Sequence, residues 1–295
     1  MKSWKSSILI RSFLHKLRLY RWLLQKPTNS YDYCGEAFLS AAARWHGEWD
    51  PILTYMSIIS TLRNEGFHGK ILELGGGYST ILLDHYLSSQ KTRIHSLDAN
   101  PDKYIRILNS SEARDSFLSS INSIRSLSVT KDQAIEGITS TLDTLYQYSH
   151  HDIRSALSAY ITEPKSLDQI FTLFKEQNLL QFIINHPHSI SEIPFYDSFL
   201  NTTSYVTSIL DSGSIHQLIF DAIFFDCGEM SSIAEWHFLS CYIPVNGFAI
   251  LHDIFYPKSI KNFLVATSIR LSPSWNVIWE DRSTPQGALI ARRIH

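Results

Sequence analysis

The chain has 295 residues, with 44% hydrophobic and 18% charged side chains and a net charge of −2. This length and apolar content can fill one large core with appendages, and the chain lacks the run of about 18 apolar residues that a membrane-spanning helix needs. Its three cysteines are an odd number without metal-ligand spacing, which excludes a disulfide framework and a zinc site and predicts a cytoplasmic protein.

Residues 1–48 are predicted to form an N-terminal helical segment that begins with a basic stretch. Seven of the 26 basic side chains and no acidic one lie within residues 1–26, so the remainder carries 19 basic against 28 acidic side chains. That remainder is too poor in clustered Lys and Arg to predict a nucleic-acid groove. Residues 1–26 lack the pattern of a secretory signal. They either contact a membrane surface or a protein partner, or pack on the domain with their cations in water.

Short apolar runs separated by turn residues predict seven strands. These are Lys70–Leu74, Arg93–Leu97, Leu127–Thr130, Ala222–Phe225, Gly247–Leu251, Trp275–Trp279 and Ala288–Ala291. Segments of helical length lie between most of them, including Ser79–Ser88, Pro101–Ser111, Ser231–Tyr242 and Pro257–Arg270. This alternation predicts an α/β fold with a doubly wound, mostly parallel sheet of seven strands. The last connection is too short for a crossover helix, so the chain should end in an antiparallel hairpin.

Residues 138–217 are predicted to be a helical insertion. They separate the third strand from the fourth and are far longer than a crossover requires. Apolar residues recur within them at three- and four-residue spacing, which predicts folded helices. An insertion after the carboxyl end of a strand lies over the crevice where open α/β sheets bind ligands. It could serve as a lid over a substrate, as a structural appendage, or as an arm that joins two copies of the chain.

The sequence KILELGGGYSTILL, residues 70–83, runs from a buried strand into three glycines and then a helix. Gly75, Gly76 and Gly77 would let a ligand approach the backbone, and the turn can require positive φ. Ser79 or Thr80 can cap the following helix, whose N-terminal N–H groups attract a carboxylate. A dinucleotide-binding fingerprint would have glycine in place of Thr80, which disfavours a nicotinamide cofactor.

Acidic side chains end three of the predicted strands. Asp98 follows the second strand, about 20 residues after the glycines, and can accept hydrogen bonds from two sugar hydroxyls. Asp226 follows the fourth strand and the pair His252 and Asp253 follows the fifth, so these three should converge on one crevice. His252 could act as a general base, lie beside a metal ion, or bond a neighbouring carbonyl.

Together these features resemble the class I S-adenosylmethionine-dependent methyltransferases, and among them the small-molecule O-methyltransferase-like members. The resemblance covers Trp49–Asp132 and Phe220–Arg293. It implies a Rossmann-like domain, over residues 49–137 and 218–295, with a reversed last strand. It also implies a cofactor site. Glu73 and the glycines would hold the methionine end, and Asp98 would hold the ribose. Ala99 and Asn100 would lie beside the adenine, and Asp132 with its neighbour Gln133 would meet the adenine amino group. Ser79, Thr80 and Asp226 would complete the site.

The resemblance implies methyl transfer from S-adenosylmethionine to a small-molecule acceptor, with Asp226, His252 and Asp253 as the catalytic residues if that acceptor is a hydroxyl. Catechol-type relatives place magnesium on an Asp after the fourth strand and an Asp-Asn pair after the fifth. Ile254 occupies the Asn position here, which leaves either a cation shared by the two aspartates or no metal. An aminopropyl transferase would need more carboxylates than the segment after Asp226 offers. The alternative from another class is a non-catalytic scaffold or cofactor sensor on the same fold.

Overall fold

The computed structural model describes residues 50–87, 92–100, 119, 121–199, 203–212 and 219–295. The predicted N-terminal segment up to residue 48 and the predicted helix Pro101–Ser111 lie outside these residues. Within them, no helix combines the length and the apolar composition that crossing a bilayer demands.

The core of the molecule is one seven-stranded sheet with the spatial order β3-β2-β1-β4-β5-β7-β6. The strands are β1 Lys70–Leu74, β2 Arg93–Asp98, β3 Asn122–Arg125, β4 Ala222–Phe225, β5 Phe248–His252, β6 Trp275–Asp281 and β7 Ala288–Arg293. Strands β1 to β5 are parallel, whereas β7 is antiparallel to both β5 and β6. The predicted doubly wound, Rossmann-like sheet and its closing antiparallel hairpin are confirmed.

The third strand was predicted at the wrong position. It was expected at Leu127–Thr130, but the strand that pairs with β2 is Asn122–Arg125. β3 lies at the edge of the sheet and most of its side chains are exposed, so it lacks the apolar run of a central strand. Leu127 and Val129 follow the strand, and both side chains are buried, with Val129 packed into the core.

Helices cover both faces of the sheet. They are α1 Asp50–Asn64, α2 Tyr78–Leu87, α3 Lys131–Leu145, α4 His150–Leu157, α5 Pro164–Lys175, α6 Leu179–Ile184, α7 Pro187–Asp197, α8 Tyr205–Ser212, α9 Ser231–Leu239 and α10 Phe263–Leu271. The helix predicted from residue 257 therefore begins six residues later, at Phe263.

Side chains of the central strands alternate between two hydrophobic clusters, as the two-residue period of a strand requires. In β1, Ile71 packs with α1 and α2 on one face, whereas Leu72 and Leu74 face α3, α9 and α10 on the other. The two layers of helices leave the carboxyl edge of the parallel strands as the place where polar side chains converge.

Helices α3 to α8 lie between β3 and β4 in the described part of the chain, as the helical pattern predicted. The expected limit at residue 138 falls inside α3, which packs so closely on α9 that a Cβ on Gly137 would lie 2.5 Å from the Cα of Ala234. The segment after α4 also hydrogen-bonds the loop after β5, because the N–H of Thr162 donates to the carbonyl of Tyr256 at 3.0 Å. The inserted helices and the sheet thus share one continuous core.

Candidate functional site

A cavity of about 330 Å³ opens at the carboxyl edge of the sheet, where residues from the ends of β1 to β4 meet helix α7. Its lining comprises Gly75, Leu97, Asp98, Ala99, Asn100, Ser126, Leu127, Ser128, Val129, Glu192, Phe195, Tyr196, Asp226, Cys227, Gly228 and Ser231. The volume is within the range of small-ligand sites, and the position is the one where open α/β sheets bind ligands. We call it the edge cavity.

The turn after β1 brings bare backbone to this cavity. Gly75 has φ +88°, and a Cβ there would lie 2.4 Å from the carbonyl oxygen of Asp226. Only glycine meets both conditions without strain. Gly77 has open space where a Cβ would lie, so the fold itself makes no steric demand for glycine at that position.

Glu73, predicted to hold the methionine end of a cofactor, is fully buried beneath the glycine turn and does not line the edge cavity. Its Oε2 accepts hydrogen bonds from the hydroxyls of Thr80 at 2.5 Å and Ser96 at 2.9 Å. The same Thr80 hydroxyl accepts the N–H of Gly77 at 2.8 Å. Helix α2 begins at Tyr78, so Thr80 lies inside its first turn and reaches back to the glycine. Glu73 therefore fixes the shape of the turn through Thr80.

Asp98, Ala99 and Asn100, the residues expected to hold the ribose and the adenine, line the cavity at the end of β2. The Asp98 side chain is buried, and its Oδ1 accepts the N–H of Asn100 at 2.7 Å. The carbonyl of Leu97 accepts the N–H of Gly75 at 2.9 Å. The glycine turn and the acidic strand end are thus tied together, and both border the same space.

Asp132 and Gln133 lie elsewhere. Asp132 is exposed in the first turn of α3, and Gln133 takes part in a capping box with Thr130 and bonds Thr207. The cavity wall that the sequence assigned to these two residues consists of Ser126 to Val129 instead. This shift follows from the earlier position of β3.

Helix α7 of the insertion forms one wall of the edge cavity through Glu192, Phe195 and Tyr196. The Glu192 carboxylate accepts the backbone N–H groups of Glu229 and, at 3.2 Å, Met230, just before helix α9. Burial raises the pKa of Glu192 to about 7. These contacts join the insertion to the loop after β4, and nothing in the sequence around Glu192 indicated them.

The predicted catalytic residues Asp226, His252 and Asp253 do converge. The Nδ1 atom of His252 lies 3.2 Å from Asp226 Oδ1 and 3.5 Å from Asp253 Oδ1. Asn262 holds the two strand ends together, because its Nδ2 donates to the carbonyls of Phe225 and His252 at 3.0 and 2.7 Å. Asp226 also lines the edge cavity and so connects the two parts of the site.

Two further side chains, Lys261 and Tyr55, complete this group. Lys261 Nζ lies 2.7 Å from Asp226 Oδ1 and 3.4 Å from Asp253 Oδ2, and the Tyr55 hydroxyl donates to Asp226 Oδ2 at 2.9 Å. We call Asp226, His252, Asp253, Lys261 and Tyr55 the charged cluster. A lysine within the apolar sequence SIKNFLV was the only available signal for Lys261, and Tyr55 had none.

Electrostatics within the charged cluster favour the ionised forms of Asp226, Lys261 and His252. Burial alone would raise the pKa of Asp226, but Lys261 and His252 outweigh it and hold the pKa well below its usual range. Burial would lower the pKa of Lys261, yet Asp226 and Asp253 raise it above the ordinary value. Burial also opposes protonation of His252, and the same two carboxylates raise its pKa. Opposite charges within the cluster therefore stabilise one another.

No known family model matches the chain, and no curated protein does. Among solved structures, the chain is similar to an O-methyltransferase from Bacillus cereus in complex with S-adenosylhomocysteine, at 14% identity over 92% of this chain and 96% of that one, with a TM-score of 0.45. A putative O-methyltransferase from Klebsiella pneumoniae is 11% identical over 93% of this chain and 96% of that one, with a TM-score of 0.44. A putative caffeoyl-CoA O-methyltransferase from Staphylococcus aureus is 11% identical over 97% of each chain, with a TM-score of 0.40.

Likenesses of this size do not transfer an activity to the chain, and the fold assignment follows from the chain's own topology. The strand order with a reversed β7 and the glycine turn facing an acidic end of β2 agree with the resemblance drawn from the sequence. The chain therefore has a Rossmann-like fold with a reversed last strand, which is what the resemblance to class I S-adenosylmethionine-dependent methyltransferases implied.

Proposed function

We propose that this protein transfers a methyl group from S-adenosylmethionine to a hydroxyl of a small-molecule acceptor. The observation that carries the proposal is that Gly75, Asp98 and Asp226, from three different strand ends, line one edge cavity. This arrangement offers bare backbone to an amino-acid moiety, a buried carboxylate to a sugar, and a charged cluster beside both.

In the edge cavity, the backbone at Gly75 would accommodate the amino-acid end of the cofactor, and Asp98 would accept hydrogen bonds from its ribose. Leu127 and Ser128, after β3, would take the adenine contacts first expected of Asp132. The cofactor supplies an electrophilic methyl group on a sulfonium. The protein's contribution is to hold the acceptor oxygen in line with that methyl group, and such positioning accounts for much of the acceleration in transfer reactions.

The charged cluster would accept the proton of the acceptor hydroxyl. Asp253 is its more accessible carboxylate, with a side chain 21% exposed against 7% for Asp226 and 5% for His252. We assign the role of proton acceptor to Asp253. His252 and Asp226 are the charged side chains next to it. The acceptor oxygen forms its bond to the methyl carbon, the carbon–sulfur bond breaks with its electron pair remaining on sulfur, and the hydroxyl proton passes to the carboxylate.

Calorimetry with S-adenosylhomocysteine tests the cofactor site. We expect the wild-type chain to bind it and Asp98→Ala to lose about ten-fold or more in affinity, because a hydrogen bond to a charged acceptor contributes roughly 1.5 to 3 kcal/mol. Asp132→Ala removes an acidic side chain that is exposed on α3, away from the cavity, and should bind as the wild type does. A wild-type chain that fails to bind at millimolar ligand, or equal affinities in the two variants, would refute the proposed site.

A further inference from the structure

The charged cluster has the ligands that a divalent cation could use. One atom from each of Asp226, His252 and Asp253 lies within 4.8 Å of the others, and two carboxylates suit an oxygen-preferring ion. In the resemblance drawn from the sequence, catechol-type relatives place magnesium at the corresponding strand ends.

The residues present do not fit a metal, because a cation of the protein itself already lies between the carboxylates. The ammonium of Lys261 contacts Asp226 at 2.7 Å and Asp253 at 3.4 Å. Only 9% of the Lys261 side chain is exposed. A buried side chain packed among neighbours cannot move aside for an ion without opening a cavity.

The oxygens of Asp226 are also already engaged. Oδ1 contacts both Lys261 and His252, and Oδ2 accepts the hydroxyl of Tyr55. A metal ion would have to displace at least one of these buried donors and leave it without a partner. The position of the third oxygen ligand in the metal-dependent relatives is occupied by Ile254, whose buried apolar side chain offers no ligand atom.

Charge balance leads to the same conclusion. Lys261 neutralises one of the two carboxylates, so only one negative charge is left for a second cation. A divalent ion a few ångströms from the Lys261 ammonium would also be repelled by it directly. Hydrogen bonding, packing and charge all disfavour a metal here.

We infer that Lys261 is a built-in substitute for a divalent metal: its ammonium holds Asp226 and Asp253 in place, and the site works without a metal ion. The part of this inference that concerns turnover rests on the proposed function, whereas the exclusion of metal does not. Lys261 is thus a positioning residue that acts through the two aspartates.

Electron paramagnetic resonance of Mn²⁺ tests the inference on the full chain, because bound Mn²⁺ loses the sharp signal of the free ion. We expect wild type to leave the signal of millimolar Mn²⁺ unchanged. Lys261→Met removes the ammonium and keeps an unbranched side chain, so it should bind about one equivalent of Mn²⁺. The double variant Lys261→Met, Asp253→Asn should lose that binding again. Lys258→Met, which removes an exposed lysine three residues away, is the matched control and should behave as wild type.

Binding of Mn²⁺ by the wild type that is abolished in Asp253→Asn would overturn the inference, as would a folded Lys261→Met variant that gains no Mn²⁺. If Lys261→Met does not fold, Lys261→Arg keeps a cation in place and should still exclude Mn²⁺, and the wild-type measurement decides on its own. Calorimetry with S-adenosylhomocysteine on the same samples separates the two proposals. A wild-type chain that binds both S-adenosylhomocysteine and Mn²⁺ refutes only the metal substitution. A wild-type chain that binds neither refutes only the proposed function.

Discussion

The edge cavity and the charged cluster meet at Asp226, yet they treat buried acids in opposite ways. On the cavity side, burial raises to about 7 the pKa of Glu192, which lines the cavity, and of Glu73 and Glu235, which do not, and among the described residues none of these three forms an ion pair. We call them the unpaired carboxyls. In the cluster, the cationic neighbours of Asp226 outweigh its burial and lower its pKa.

The contrast shows how one small region can contain several buried acids. A buried carboxyl either remains neutral or acquires a cation, and the two solutions give opposite dependences on pH. An unpaired carboxyl stabilises the fold below its ordinary pKa, and that stability is lost as the pH rises through about 7. Asp226 stabilises the fold above its ordinary pKa, and that stability is lost only as the pH falls toward its lowered value.

The largest expected effect comes from breaking the cluster at its most buried acid. Asp226→Asn leaves the Lys261 ammonium buried without its nearest partner and should lower the free energy of unfolding by about 3 to 5 kcal/mol. Asp253→Asn removes a longer and more exposed contact and should cost about 1 kcal/mol. Urea unfolding at pH 7 measures both variants. Equal losses would show that the two carboxylates share the ammonium evenly, against the geometry described above.

The residues at the edge cavity could largely be predicted from the sequence, because each of them is identified by the strand that it directly follows. Gly75 and Asp98 follow strands whose central, buried positions produce clear apolar runs, so their convergence at one edge could be predicted. Asp132 was misplaced for the opposite reason. β3 is a polar edge strand, and the apolar residues that follow it resembled a strand more than the strand itself did.

The cluster was only half predictable. The parallel sheet brings Asp226, His252 and Asp253 together, and the sequence identified all three. In the chain, Lys261 lies 35 positions after Asp226 and Tyr55 lies 171 positions before it. The loop and helix geometry that brings them to Asp226 leaves no periodic pattern in the sequence. The cation that decides between a metal site and an ion pair was therefore invisible before the structure.

A second effect separates Gly75 from Gly77 in the glycine turn. Gly75→Ala forces a side chain into positive φ and against the Asp226 carbonyl, and should lower the free energy of unfolding by about 3 kcal/mol. Gly77→Ala meets open space and should change it by less than about 1 kcal/mol. Thermal and urea unfolding give both values. A Gly75→Ala chain as stable as Gly77→Ala would mean that the turn relaxes without strain.

The smallest effect tests the unpaired carboxyls directly, at Glu235. This side chain is fully buried in α9, and neither of its oxygens accepts a hydrogen bond of ordinary geometry from the part of the chain that the structure describes. Burial raises its pKa from 4.5 to about 7, against smaller opposing effects of Ser128 and Cys227. The folded chain therefore binds a proton more tightly than the unfolded chain, and ionisation on going from pH 5 to pH 8 should cost about 2 to 3 kcal/mol of stability.

Glu235→Gln cannot ionise, so its free energy of unfolding should fall by about 2 kcal/mol less than that of wild type between pH 5 and pH 8, in urea titrations at matched ionic strength. Glu136→Gln removes an exposed glutamate from α3 and controls for the loss of one negative charge. If wild type and Glu235→Gln lose the same stability over this range, Glu235 ionises alike in the folded and unfolded chains. Burial alone would then not keep a carboxyl protonated. The contrast between Glu235, which has no cationic partner, and Asp226, which has one, would disappear.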